Sequence, residues 1–180
     1  MSLSMMKNCY SNTFSIHRGD AEIASMLKKI EIVIDTREQA NGHITEFLTK
    51  KKVPFVSRKL DVGDYSAQIG IMSLEKSVVI ERKGSLDEVA GNIGTGRERF
   101  EKEFLRAKAG NTKVYLVIED GSWEAIKAHR YRSELSPKAY IATLRSWMAK
   151  YDFNLIFCEK ANAPEHIYET LLYHAREALK

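Results

Sequence analysis

Glu81-Arg82-Lys83 closes a run of Val78, Val79 and Ile80. A β-branched run of this kind reads as a buried strand. On strand alternation Glu81 and Lys83 face one side and Arg82 the other. A carboxylate and an ammonium therefore share a face. Asp64 stands upstream in Gly63-Asp64-Tyr65, a turn into the preceding strand, where a meander brings it beside Glu81. Two converging carboxylates make a hard-oxygen site for a divalent cation. Magnesium takes one or two carboxylates, keeps several waters and completes its shell with phosphate. Lys83 is placed to orient or help deprotonate an attacking water and to offset charge in the transition state. Phosphodiester hydrolysis uses these parts: a metal, an activated water and cationic help for the pentacovalent phosphate.

The elements that must position these groups are legible in the periodicity. Asp20 to Lys29 is helix-like, and Ile30 to Ile34 is a β-branched strand that stops at the charged cluster Asp35-Thr36-Arg37-Glu38. His43 to Lys52 carries Ile44, Phe47 and Leu48 at helical spacing. Phe55 to Leu60, Tyr65 to Ile71 and Ser77 to Glu81 follow as strands, and their tight succession predicts an antiparallel meander. Helices are predicted over Leu86 to Ile93, Arg97 to Ala109, Ser122 to His129, Ser136 to Lys150 and Ala163 to Leu179. Ser136 is placed to cap its helix, with Pro137 in the first turn. Strands are predicted over Lys113 to Glu119 and Asn154 to Cys158. This order implies a three-layer α/β domain, a central mixed sheet flanked by helices. Residues 1–30 read as an N-terminal extension and 31–180 as the domain.

Bulk properties narrow the class. A chain of 180 residues with 44% apolar content suits one domain with a proper core. Apolar runs are too short to span a membrane, and Met1 to Met6 lack the apolar stretch of a signal peptide. Cys9 and Cys158 lie far apart with no metal-type spacing, which fits two reduced thiols. The expected location is intracellular and soluble, the cytoplasm if the source is prokaryotic or phage. The 28 basic and 24 acidic residues give a net charge of +4, compatible with a polyanionic partner without showing one.

The Asp–Glu–X–Lys arrangement matches that of restriction-endonuclease-like nucleases. The full string is more specific: Asp35-Thr36-Arg37-Glu38, then Gly63-Asp64-Tyr65, then Glu81-Arg82-Lys83 with Asp87 four residues on. With Gly96-Arg97-X-Arg99-Phe100 and the strand ending in Ile118-Glu119, it resembles the XPF-type structure-specific endonuclease family from residue 31 to about 176. The resemblance implies a restriction-endonuclease-like fold and cleavage of branched, flap or fork DNA during repair or recombination. It implies that Asp35, Asp64 and Glu81 surround Mg²⁺, with Mn²⁺ able to substitute, and that Lys83 is catalytic. It also implies that Arg37, Glu38, Arg82 and Asp87 support the site. Glu38 and Arg82 then count with the catalytic set, and Arg37 and Arg82 with the DNA contacts.

Further DNA contacts are expected from Arg97 and Arg99, which follow Gly94 and Gly96 at a helix start, where backbone amides favour anions. Arg130 and Arg132 in the His129–Arg132 loop are the other candidates. Two alternatives stand beside the enzyme: a catalytically idle DNA-binding subunit, and a same-fold nuclease with a different target. Family members usually carry a tandem helix-hairpin-helix module after this domain, and nothing after Asn162 has its glycine hairpins. Together with apolar residues on the last two long helices (Ile141, Leu144, Trp147, Met148; Ile167, Leu171, Leu172), this suggests a homodimer or a partner protein.

Overall fold

The computed structural model describes residues 18–180. Cys9 and Met1 to Met6 lie outside the described residues. Seven strands form one mixed sheet in the order β2-β1-β3-β5-β6-β7, with the short β4 hydrogen-bonded to β3. The strands are β1 (Ile30–Ile34), β2 (Phe55–Ser57), β3 (Tyr65–Ile69), β4 (Met72–Ser73), β5 (Val78–Lys83), β6 (Lys113–Glu119) and β7 (Asn154–Cys158). Helices α1 (Asp20–Leu27), α2 (Gly42–Lys50) and α7 (Ala163–Leu179) supply the core on one face. Helices α3 (Leu86–Ile93), α4 (Arg97–Ala109), α5 (Trp123–Lys127) and α6 (Pro137–Tyr151) cover the other. The expected three-layer α/β architecture with a mixed sheet is present.

Alternation along β5 sorts its side chains between the layers. Val78 and Ile80 pack toward α2 and α7, and Val79 packs toward α3, α4 and α6. Five of the six strand pairings are explained by connection length. β3, β4 and β5 follow one another through short turns, and β3 pairs antiparallel with both β4 and β5; β1 and β3 also pair antiparallel, although α2 and β2 lie between them. β5, β6 and β7 are separated by helices and pair parallel, because a helical crossover returns the chain in the same direction.

The predicted meander from Phe55 to Lys83 needs correction at its first strand. β2 is only three residues long and pairs parallel with β1, with Ile32 opposite Phe55. α2 lies between β1 and β2, so this pair is a crossover unit and not a hairpin. The chain then passes through residues 58–64 before β3 inserts on the opposite side of β1.

Residues 18–29 are fastened to the domain. Ile23 is in the core, and Arg18 donates to the Leu179 carbonyl at 3.0 Å. The apolar stripes of α6 and α7 are largely consumed by the chain's own core: Leu144, Trp147, Ile167 and Leu171 are buried, and Ile141, Met148 and Leu172 half-buried. They offer little free apolar surface for a second chain.

Candidate active site

The site forms at the carboxyl end of β5, where it meets the start of β3. Gly63 makes the approach possible. Its φ is +75°, and a Cβ there would lie 2.8 Å from Val79 Cβ and 3.0 Å from the Ile80 carbonyl oxygen. Only glycine combines that backbone with that contact. The next residue is held against β5: Asp64 N–H donates to Ile80 O at 2.7 Å, and Asp64 Oδ2 accepts from Arg82 N–H at 2.8 Å. Tyr65 then turns into the opposite layer, where its hydroxyl donates to Glu38 at 2.8 Å.

Glu81 and Lys83 point to the α3–α4 layer. Lys83 Nζ lies 2.8 Å from Glu81 Oε1 and 3.3 Å from Glu88 Oε1, and it sits 5.2 Å above the Phe100 ring. Burial alone would lower the Lys83 pKa, but Glu81 and its neighbours outweigh it and raise it, so Lys83 stays cationic. Burial, with Glu81 nearby, pushes the Asp64 carboxyl well above the usual carboxylate range. Burial also raises Glu81, against the attraction of Lys83.

These facts bear on whether a cation fits. Two desolvated carboxylates repel each other across the site, which is the condition a divalent ion relieves. Among the described residues Asp64 Oδ1 and Glu81 Oε2 accept no hydrogen bond, and neither is among the sealed, unpartnered side-chain atoms. Two free oxygens of hard character suit magnesium, which needs few protein ligands. No group of three or more His, Cys, Asp and Glu forms a metal cage among the described residues.

Asp35 is placed differently from the expectation that it ligates metal. It is buried, and its carboxylate already accepts four hydrogen bonds: from Arg37 N at 2.8 Å, Arg37 Nε at 2.7 Å, Arg37 Nη2 at 3.2 Å and Leu60 N at 2.5 Å. Both oxygens are spent on shaping the loop beside the site. Burial would raise its pKa, but the Arg37 and Leu60 hydrogen bonds prevail and hold it low. A depressed folded-state pKa contributes stability above the unfolded value of roughly 3.9 that is lost as pH falls through the folded value. Asp35→Asn, which turns an acceptor into a donor facing N–H groups, should therefore cost about 1–3 kcal/mol at pH 7. In urea unfolding the gap from wild type should narrow below about pH 4. An equal gap at both pH values would contradict this account of Asp35.

On the opposite layer Arg82 is the centre of a buried charge network. It donates from Nε to Glu38 at 2.7 Å and from Nη2 to Gln39 O at 3.2 Å. Its Nη1 lies 3.1 Å from Glu119 Oε2, although without hydrogen-bond alignment, and Glu119 Oε1 meets His43 Nε2 at 2.7 Å. Burial works against the Arg82 charge, but Glu38 and the other anions raise its pKa further. The register pairs Lys83 with Ile118, so β5 and β6 end together and deliver Arg82 and Glu119 to one place.

The remaining expectations fare unequally. Arg37 borders the site, near enough to Asp64 to feel its charge. Asp87 holds the 129–132 loop by accepting from Arg132 N at 2.6 Å and from Arg132 Nε at 3.2 Å. Arg97 bonds Glu101 within its own helix at 2.8 Å and lies over Trp147. Arg99 and Arg130 are exposed. Three contributors were assigned no site role from the sequence: Glu88 beside Lys83, Phe100 beneath it (although it closes the Gly96–Phe100 string), and Glu103, whose charge acts on both Glu81 and Arg37. The spacing of Phe100 and Glu103, one helical turn apart, is the only signal for the last, and it is weak.

Comparison with known proteins bears on the family and the fold. The ERCC4 domain model matches residues 34–171, and the chain belongs to that family. Among solved structures it is similar to XPF from Aeropyrum pernix, at 19% identity and a TM-score of 0.59, covering 83% of this chain and 65% of that one. The same archaeal protein in complex with DNA matches at 18% identity and a TM-score of 0.61, over 82% of this chain and 66% of that one. The fold is thus that of these XPF structures, and the chain spans about two thirds of those relatives' length. No curated protein sequence matches significantly. Among the described residues no helix is long and apolar enough to cross a membrane.

Proposed function

We propose that this chain is a metal-dependent DNA endonuclease that hydrolyses phosphodiester bonds in branched, flap or fork DNA, in repair or recombination. The observation that carries the reading is the meeting of Asp64, Glu81 and Lys83 on one side of the sheet, with free oxygens on both acids. Family membership supports the reaction class, and the archaeal relative solved with DNA supports the substrate. Asp64 and Glu81 would hold Mg²⁺, or Mn²⁺ in its place. Such an ion supplies Lewis-acid activation of phosphate and water. Lys83, clamped by Glu81 and Glu88, sets a positive charge where negative charge grows on the phosphate. Arg82 keeps the end of β5 in place from the opposite layer, and Arg37 offers a cation at the rim. Assembly as a homodimer or with a partner protein belongs to the same reading, on family resemblance.

The test is a panel of labelled duplex, single-strand, flap, fork and four-way DNAs incubated with the protein in Mg²⁺ and in chelator. Cleavage of flap or fork DNA in Mg²⁺ alone is expected. Lys83→Ala should lower the single-turnover rate roughly 10²–10³-fold at saturating DNA. Binding without any cleavage would favour the idle DNA-binding subunit instead.

A further inference from the structure

A second concavity adjoins the site. It has a volume of about 640 Å³ and lies between the chain following β2, the turn before β5 and the end of α4. Its wall on the catalytic side is Arg37, whose guanidinium bonds Asp35 and donates to Leu60 O at 3.1 Å. α4 runs past both regions. Phe100 underlies Lys83, Glu103 acts on Glu81 and Arg37, and Arg106, six residues beyond Phe100, lines the cleft. Arg37 belongs both to the cleft's lining and to the border of the site, so the two adjoin at that residue.

Its chemistry is that of a backbone track. Arg37, Lys59, Lys76 and Arg106 line it, against Asp61 and Glu75. Glu75 is already paired with Arg58, which is not part of the lining. Arg106 has only a loose contact with Glu103, at 3.8 Å. Lys59 and Lys76 are exposed and make no ion pair among the described residues. No aromatic side chain lines the cleft, so no base stacking is offered. Converging cations without a stacking platform read the charge of a phosphate backbone and not the bases. The volume falls within the roughly 300–1,000 Å³ of ordinary ligand clefts, room for a single strand and too little for a duplex.

We infer that this cleft, walled by Arg37 and lined by Lys59, Lys76 and Arg106, takes the sugar-phosphate backbone of a single DNA strand beside the catalytic centre. The inference rests on the nuclease reading, and its test separates the two. The full chain, in chelator, is titrated against fluorescein-labelled oligothymidylate and against a blunt duplex over a series of salt concentrations, by anisotropy. Lys59→Ala/Lys76→Ala should weaken single-strand binding several-fold. It should also flatten the plot of log affinity against log salt by about 1.4, two contacts at roughly 0.7 each. Lys127→Ala/Lys138→Ala, outside the lining, should leave both unchanged. Because Lys59 and Lys76 are exposed, the double variant should fold as wild type does. An unchanged slope in that variant, an equal loss on duplex, or failure of the wild type to bind single strands would overturn the cleft. Wild-type cleavage of flap DNA in Mg²⁺, measured alongside, reports on the nuclease reading by itself.

Discussion

Asp64→Asn and Glu81→Gln should each lower the rate of DNA cleavage by about 10³-fold or more, a loss of about 4 kcal/mol in transition-state stabilisation. Each change removes one of the two carboxylates that meet at the ends of β3 and β5, while keeping size and hydrogen-bonding capacity. The fold should survive, because Asp64 Oδ2 still has an oxygen to offer Arg82 N–H and the surrounding strands are unaltered. Metal-free Asp64→Asn should unfold at a temperature no lower than wild type, since one of two mutually repelling buried acids is gone, whereas Glu81→Gln also takes the 2.8 Å partner from buried Lys83 and should unfold lower. Mg²⁺ should raise the melting temperature of the wild type and leave both variants nearly unmoved. DNA affinity in chelator should be retained or increased, because a negative charge has been taken from a surface that receives phosphate. Near wild-type cleavage by either variant would remove the carboxylate pair from the mechanism. A full Mg²⁺ shift in both would place the ion elsewhere.

Arg82→Ala should have the largest effect on the fold itself. Arg82 is only 8% exposed and is the cation between Glu38 and Glu119, the latter fully buried. Deleting it leaves two acids facing each other with only His43 and Tyr65 as partners. Breaking a buried ion network from one side typically costs about 3–5 kcal/mol, because the remaining charge is stranded. Urea unfolding should show that loss, and adding Glu119→Gln to Arg82→Ala should restore part of it. A loss under about 1 kcal/mol would mean that water reaches the network freely. Failure of Glu119→Gln to restore stability would mean that Arg82 acts through packing of its stem and not through charge.

Much of the fold was legible in the chain. The β-branched runs at Ile30–Ile34, Val78–Ile80 and Lys113–Glu119 announced buried strands, and Ser136-Pro137 announced the start of α6, where Ser136 does accept from Ala139 N–H. The direction of β2 was not legible, since its three residues carry the same alternation whether they pair parallel or antiparallel. Only the crossover through α2 determines the direction. β4, two residues long, is below what any periodicity can reveal.

For the site, residue types and spacing by themselves determined which side chains share a face of β5, because alternation is a property of extended backbone and needs no neighbour. That placed Glu81 with Lys83 and sent Arg82 to the other layer. It also marked Gly63-Asp64 as a turn into a strand. What only the tertiary structure decided is where each charge spends its hydrogen bonds. Asp35 and Asp64 are both acids at strand boundaries, yet one accepts four bonds from Arg37 and Leu60 while the other keeps an oxygen free. Glu88, Glu103 and Glu119 come to the site from α3, α4 and β6. Their distance in sequence from Glu81 carries no information about their distance in space. Charge interaction depends on separation and burial, and both are set when the helices close over the sheet.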